Sequence, residues 1–210
     1  NNMKVIDTKQ RTLISSLKSL ESGHYITGAV HPATYLNKFL VGYTSGSLEL
    51  WNVRKQKLVY AFQSHKQFFQ ESEIDEYDDA YDGNEGHKST KYATPEVTCM
   101  EQSPAVDVVG VGFSDGHILL MNLKVDKVLF AFKQSGGKVT ALSFRNDKAA
   151  EQFPYLASSS VDGRVHIWNL GTKDTSDEIE DNEKDDDDSE AEERGEKATI
   201  VNRKLQFTIE

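Results

Sequence analysis

The residues best suited to nucleophilic or metal chemistry are one cysteine, Cys99, and six histidines: His24, His31, His65, His87, His117 and His166. They are scattered, without metal-ligand spacing around the cysteine. Gly110-Val-Gly112 followed by Gly116 misses the dinucleotide-binding spacing by one residue, and it runs into a turn, not a helix. Asp78-Asp-Ala-Tyr-Asp82-Gly83 echoes a calcium loop, but Ala80 holds the third position and Ser89 the twelfth, where a bidentate Glu is required. His166 alternates with Val165 and Ile167 and is expected to point away from their face. The chain is therefore expected to be non-catalytic, with no metal, cofactor or small-molecule substrate.

Composition narrows the setting. The chain has 210 residues with a net charge of -10, and no apolar run approaches the roughly 18–20 residues of a membrane helix. A lone cysteine cannot close an intrachain disulfide, no Asn-x-Ser/Thr site occurs, and the first residues lack a secretory-signal layout. A reducing, intracellular compartment and no membrane partner are expected. The acidity is local. Glu71–Glu85 holds eight acids and no Lys or Arg, and Asp174–Glu196 holds fourteen acids against Lys184 and Arg194, which leaves the remainder at +10.

Strands must supply the framework. Three copies of one pattern place a glycine five residues before an anchor: Gly46 before Trp51, Gly116 before Met121, and Gly163 before Trp168. Asn52, Asn122 and Asn169 follow these anchors, and Ile6-Asp7 fits the same frame. The anchors are 45, 70 and 47 residues apart. A period of about 40–45 with four alternating strands per unit marks a β-propeller blade of WD-repeat type, and the 70 is one period plus an insertion.

The expected fold is all-β: three full four-stranded blades plus a partial N-terminal blade, with disordered acidic insertions. Residues 1–20 supply outer strands of the partial blade, 21–65 and 97–134 are blades, and 135–172 with 200–210 form the third. Residues 66–96 and 173–199 are the insertions, the second displacing the third blade's outer strand to Lys204–Ile209. Three blades and a fraction do not close a ring, so a fragment of a longer propeller is expected.

Many WD repeats lock each blade with a buried His, Ser/Thr, Asp and Trp. Here the candidate structural positions are His24, Gly46, Trp51, Asp115, Gly116, Met121, Asp162, Gly163 and Trp168, and no blade holds a full set: Ser45 replaces one Asp, and Gly136-Gly137 occupies one histidine position. Trp51 and Trp168 are expected to pack between sheets. The glycines supply positive φ at the hairpins.

The acidic tracts admit three readings: solvated insertion, tethered polyanion that contacts basic proteins or competes with nucleic acid, and phosphoregulated loop. Ser72, Thr175 and Ser189 each have an acid three residues on, which suits acidophilic kinases and is read directly by mass spectrometry. Lys and Arg are spread through turns such as Arg54-Lys55-Gln56-Lys57 and Lys124–Lys127, which fits non-specific RNA contact but not base readout.

The runs His31-Pro-Ala-Thr-Tyr-Leu-Asn-Lys38, Ser103-Pro-Ala-Val-Asp-Val-Val109 and Val139-Thr-Ala-Leu-Ser-Phe-Arg-Asn-Asp147 together resemble one WD-repeat family. It is the tandem-propeller, small nucleolar RNA-associated subunit of the UTP-B complex in the small-subunit processome. The resemblance covers roughly residues 26–63 and 97–170, within that family's first propeller. It implies a nucleolar, non-enzymatic scaffold for small-subunit biogenesis and pre-rRNA processing. The partners it implies are other UTP-B and processome proteins and the pre-ribosomal ribonucleoprotein. The alternative is a WD-repeat adaptor of another class, such as a ubiquitin-ligase substrate receptor or a trafficking scaffold. The acidic insertions depart from the family's pattern.

Overall fold

The computed structural model describes residues 2–18, 23–77, 93–147, 154–171 and 205–209. The expectations for residues 173–199, Thr175 and Ser189 lie outside them. The chain opens with β1 (Asn2–Asp7) and β2 (Thr12–Lys18), paired antiparallel. Three four-stranded antiparallel sheets follow. The first holds β3 (Ile26–Val30), β4 (Lys38–Tyr43), β5 (Leu48–Asn52) and β6 (Lys57–Ala61). After α1 (Ser64–Tyr77), the second holds β7 (Val97–Gln102), β8 (Val108–Phe113), β9 (His117–Asn122) and β10 (Lys127–Lys133). The third holds β11 (Val139–Phe144), β12 (Tyr155–Ser160), β13 (Val165–Asn169) and β14 (Leu205–Ile209). Each sheet is an up-and-down meander of a propeller blade, and the inner strands β3, β7 and β11 are neighbours in that order.

Successive side chains in a strand point to opposite faces, so an inter-blade strand must be apolar on both. The sheets obey this in strict alternation. Val41, Tyr43, Trp51 and Val53 face back toward Leu17 of β2, whereas Leu40, Leu48 and Leu50 face forward onto Val109, Val111, Leu119 and Met121. In the second sheet Val108, Ile118, Leu120 and Phe132 face forward onto Val139, Leu156 and Trp168. Trp51, Met121 and Trp168 thus all turn to the preceding blade, and the anchor spacing marks structural phase. The Phe132 and Trp168 ring centroids are 5.1 Å apart.

Turn geometry repeats with the same period. Gly46, Gly116 and Gly163 have φ of 77°, 94° and 87°, as hairpins between middle strands require. Arg11, Gln56 and Asp126, each the last residue before an outer strand, share φ near 50° (53°, 51° and 49°). Asn37 and Asp107 do the same before β4 and β8, at 56° and 61°.

One expectation is corrected. The stretch from residue 66, read as acidic loop, begins as α1. Phe69 in this helix is buried with ring centroids 4.9 Å from Phe113 and 5.2 Å from His117, so the helix start belongs to the packed core.

Blade spacing depends on two glycines in equivalent strands. A Cβ on Gly42 would lie 2.5 Å from Val97 Cγ1, and one on Gly112 would lie 2.7 Å from both Val139 Cγ1 and Cys99 Sγ. Gly112→Ala is expected to destabilise the chain by about 1–3 kcal/mol through overpacking. Urea unfolding followed by tryptophan fluorescence measures this, and an unchanged midpoint would refute the close-approach account.

Candidate functional site

Among the described residues no group of three or more His, Cys, Asp or Glu could hold a metal ion. What matters is how buried polar residues fix the blades and which side chains the turns then present.

Each tryptophan indole must find an acceptor when buried. In the third sheet Trp168 Nε1 donates to Ser158 Oγ at 2.9 Å, and Ser158 Oγ donates to Gln134 Oε1 at 2.8 Å. Gln134 Nε2 in turn donates to the carbonyls of Gly137 at 3.1 Å and Ser159 at 3.3 Å. Gln134 therefore does the linking expected of a histidine, two residues before the Gly136-Gly137 position. Asp162 stays outside this chain. It accepts from Ser160 Oγ and from Arg164 N at 3.1 Å, and these bonds hold its carboxyl below the usual range.

The first sheet uses another solution. Glu49 lies buried on β5, and its Oε2 accepts from Tyr43 OH at 2.6 Å and from Trp51 Nε1 at 2.8 Å. His24 is exposed, not part of a buried lock. Met121, fully buried in the second sheet, needs no polar partner. Sequence reasoning missed Glu49 and Gln134. The signal for Glu49 was available: an acid two residues before a tryptophan on the same strand shares its face.

Asp115 and His65 serve the helix. Asp115 Oδ2 sits 2.6 Å from His117 Nδ1, and the ring of His117 packs edge-on against Phe68 and Phe69. Burial would raise the Asp115 carboxyl, but its hydrogen bonds to His117 hold it below the ordinary value. His65 is fully buried, with Nε2 3.0 Å from Gly46 O, and burial beside Lys66 lowers its pKa to about 4. The neutral ring thus donates Nε2–H to the hairpin carbonyl. Asp126, from the β9–β10 turn, accepts from Gln63 N at 2.9 Å, Ser64 N at 3.3 Å and Tyr60 OH at 2.9 Å, which satisfies open N–H groups at the start of α1. Burial opposes ionisation of Asp126, yet these donors keep its pKa low.

The residue after each anchor shapes the turn before the outer strand. Asp7 Oδ1 accepts from Lys9 N at 2.8 Å, Asn52 Oδ1 from Lys55 N at 2.8 Å, Asn122 Oδ1 from Lys124 N at 2.9 Å, and Asn169 Oδ1 from Gly171 N at 2.9 Å. The work is that of an acceptor oxygen, which an amide supplies as well as a carboxylate. These Asx turns present Lys9, Arg54 and Lys124, each the third residue after its anchor and each exposed. The basic turns that the sequence left unplaced therefore share one edge. Ser72 lies within α1.

A family model described as the WDR36/Utp21 first beta-propeller matches residues 1–192. WD repeat-containing protein 36 of Homo sapiens is 34% identical over 148 residues, 70% of this chain and 13% of that protein. The U3 small nucleolar RNA-associated protein 21 homolog of Schizosaccharomyces pombe is 35% identical over 148 residues, with the same two shares. Both are several times longer than this chain, which spans 13% of their length. Among solved structures, the computationally designed Ika8 protein aligns with a TM-score of 0.52 at 20% identity, covering 81% of this chain and 41% of that one. A chain of the mitotic checkpoint complex aligns at 0.54 and 18%, covering 80% and 40%. These two likenesses carry the fold alone.

Two outcomes follow for the locks. Glu49→Leu leaves the Tyr43 hydroxyl and the Trp51 indole buried without an acceptor and is expected to cost about 2–4 kcal/mol. Glu49→Gln keeps an acceptor and is expected to lose less than half of that, so equal losses in urea titrations would exclude the lock. For His65, the folded pKa of about 4 lies below the ordinary imidazole value of 6.5, so the unfolded chain takes up the proton first as pH falls. Its contribution is fully present above pH 6.5 and is lost between there and pH 4, to a total of about 3 kcal/mol. His65→Gln should flatten stability across that window, and an unaltered pH profile would show that His65 does not titrate this way.

Proposed function

Because the chain belongs to the WDR36/Utp21 first beta-propeller family, we propose that it is a non-catalytic scaffold segment in small-ribosomal-subunit biogenesis. It acts in processome assembly and pre-rRNA processing through protein–protein and ribonucleoprotein contacts. The observation that carries this reading is the match of residues 1–192 to the family, together with relatives named for association with the U3 small nucleolar RNA. A nucleolar location, UTP-B and processome proteins as partners, and weak sequence-independent contact with pre-ribosomal RNA belong to the same proposal. Nothing favours a ubiquitin-ligase receptor or a trafficking scaffold.

The acidic tract Asp174–Glu196 lies in the connection from β13 to β14. We infer a role for it as a tethered polyanion toward basic partners, with Ser72, Thr175 and Ser189 as candidate phosphosites. Affinity purification of the full-length protein at its native locus tests the scaffold reading. Recovery of pre-rRNA, U3 small nucleolar RNA and processome subunits is expected, and a preparation holding cullin or coat components without them would overturn it.

A further inference from the structure

One edge of the sheets carries a repeated pattern of cations and exposed aliphatic side chains. Its outer row consists of Lys9, Arg54 and Lys124, on the same position of three successive turns, joined by exposed Arg11, Lys55 and Lys57. Its inner row consists of Leu36 and Val106, each directly before the left-handed residue of the β3–β4 and β7–β8 connections, at 81% and 67% exposure. Val125 on the β9–β10 turn adds a third aliphatic at 63% exposure.

The two rows belong to one surface. Val53 N donates to Asn37 O at 2.9 Å and Leu123 N to Asp107 O at 2.8 Å, which ties the connections within each sheet. Thr34 Oγ1 donates to Asp107 Oδ1 at 2.9 Å, which ties the first sheet to the second. Several acids of this edge are engaged locally. Asp7 accepts from Lys9 N and Gln10 N, Asp107 from Thr34, Asp126 from Tyr60, Gln63 and Ser64, and Asp147 from Arg145 at 2.8 and 2.9 Å.

We propose that this edge is a docking surface for an extended protein segment in which Asp and Glu are interspersed with aliphatic residues. The proposal deepens the scaffold reading by naming the partner's chemistry, and it rests on that reading for its biological setting. Charge complementarity selects an acidic partner. The aliphatic row selects peptide over nucleic acid. Single-stranded RNA engages aromatic platforms, whereas this edge exposes Leu36, Val106 and Val125; of its rings, His31 is exposed but packs edge-on 5.1 Å from Phe39, and Tyr35 is half-buried with the Lys38 ammonium 5.2 Å from its ring centroid. A phosphate backbone gains nothing from covering exposed leucine and valine. An extended peptide does, since alternate side chains address the cations and the aliphatics in turn.

The test is fluorescence anisotropy on the full chain with two labelled probes, a peptide of alternating Asp/Glu and Leu/Val residues and an oligouridylate of equal charge. The chain's own acidic tract is present in every sample and acts alike on two probes of equal charge, so the peptide-to-oligouridylate ratio is free of it. The combined variant Lys9→Glu, Arg54→Glu and Lys124→Glu is expected to weaken peptide binding about tenfold or more. The pair Leu36→Ser and Val106→Ser is expected to weaken it several-fold. All these residues are exposed, and circular dichroism verifies that the variants keep their strands. Absence of peptide binding, binding indifferent to both variants, or oligouridylate binding as tightly as peptide would each overturn the proposal. None of those results touches co-purification with the processome, so a failure here is distinguishable from a failure of the scaffold reading.

Discussion

The contact on which this architecture depends is the approach of Gly42 to Val97 and of Gly112 to Val139. Both glycines lie on the second strand of a blade, and both valines open the inner strand of the next. A side chain at either glycine would hold neighbouring sheets apart near the axis, where inner strands crowd. With the glycines in place, Val97 and Val139 are completely buried. The remaining interdigitation follows, because a sheet seated this closely must show apolar side chains on both faces. Leu40, Leu48 and Leu50 turn one way and Val41, Tyr43 and Trp51 the other.

Given that spacing, the polar locks have freedom in composition but none in satisfaction. A buried indole N–H without an acceptor loses the desolvation energy outright. The first sheet answers with a carboxylate shared by Tyr43 and Trp51, and the third answers with a serine held by Gln134. The second sheet removes the requirement by placing Met121 at the anchor, fully buried. The same reasoning explains Asn where a WD repeat has Asp. The turn needs one oxygen to receive a backbone N–H, and Asn52, Asn122 and Asn169 provide it without a charge.

The periodic features of the fold were legible in the sequence. Gly46, Gly116 and Gly163 sit in the hairpins with positive φ, and the anchors Trp51, Met121 and Trp168 fall on β5, β9 and β13, as their spacing requires. Helix α1 was not legible. Its first half carries two adjacent phenylalanines instead of a helical stripe, and its acids read as solvated loop. What fixes it comes from far along the chain: Asp126 reaches Gln63 and Ser64 across more than sixty residues, and Phe113 and His117 receive Phe69. Glu49 and Gln134 were missed for a related reason. The known lock is defined by residue types, whereas the physical demand is only for an acceptor at that place.

The distribution of Lys and Arg was the least legible feature, since only topology decides which turns are neighbours. In an up-and-down blade the first and third connections leave from the same end of the strands, and the middle one leaves from the other. Lys9, Arg54 and Lys124 therefore gather at one edge although 45 and 70 residues separate them in sequence. The β13–β14 connection, which bears Asp174–Glu196, also belongs to that end of its sheet, whereas the β6–β7 connection with Glu71–Glu85 belongs to the other. Net charge is consequently a poor guide to encounter. Screening confines electrostatic contact to about 8 Å at physiological salt. A partner approaching the β1–β2, β5–β6 and β9–β10 turns meets Lys9, Arg54 and Lys124, whereas the acids of Asp174–Glu196 belong to the connection of the third sheet. The segregation of charge by connection, more than its sum, is the property that binding reads.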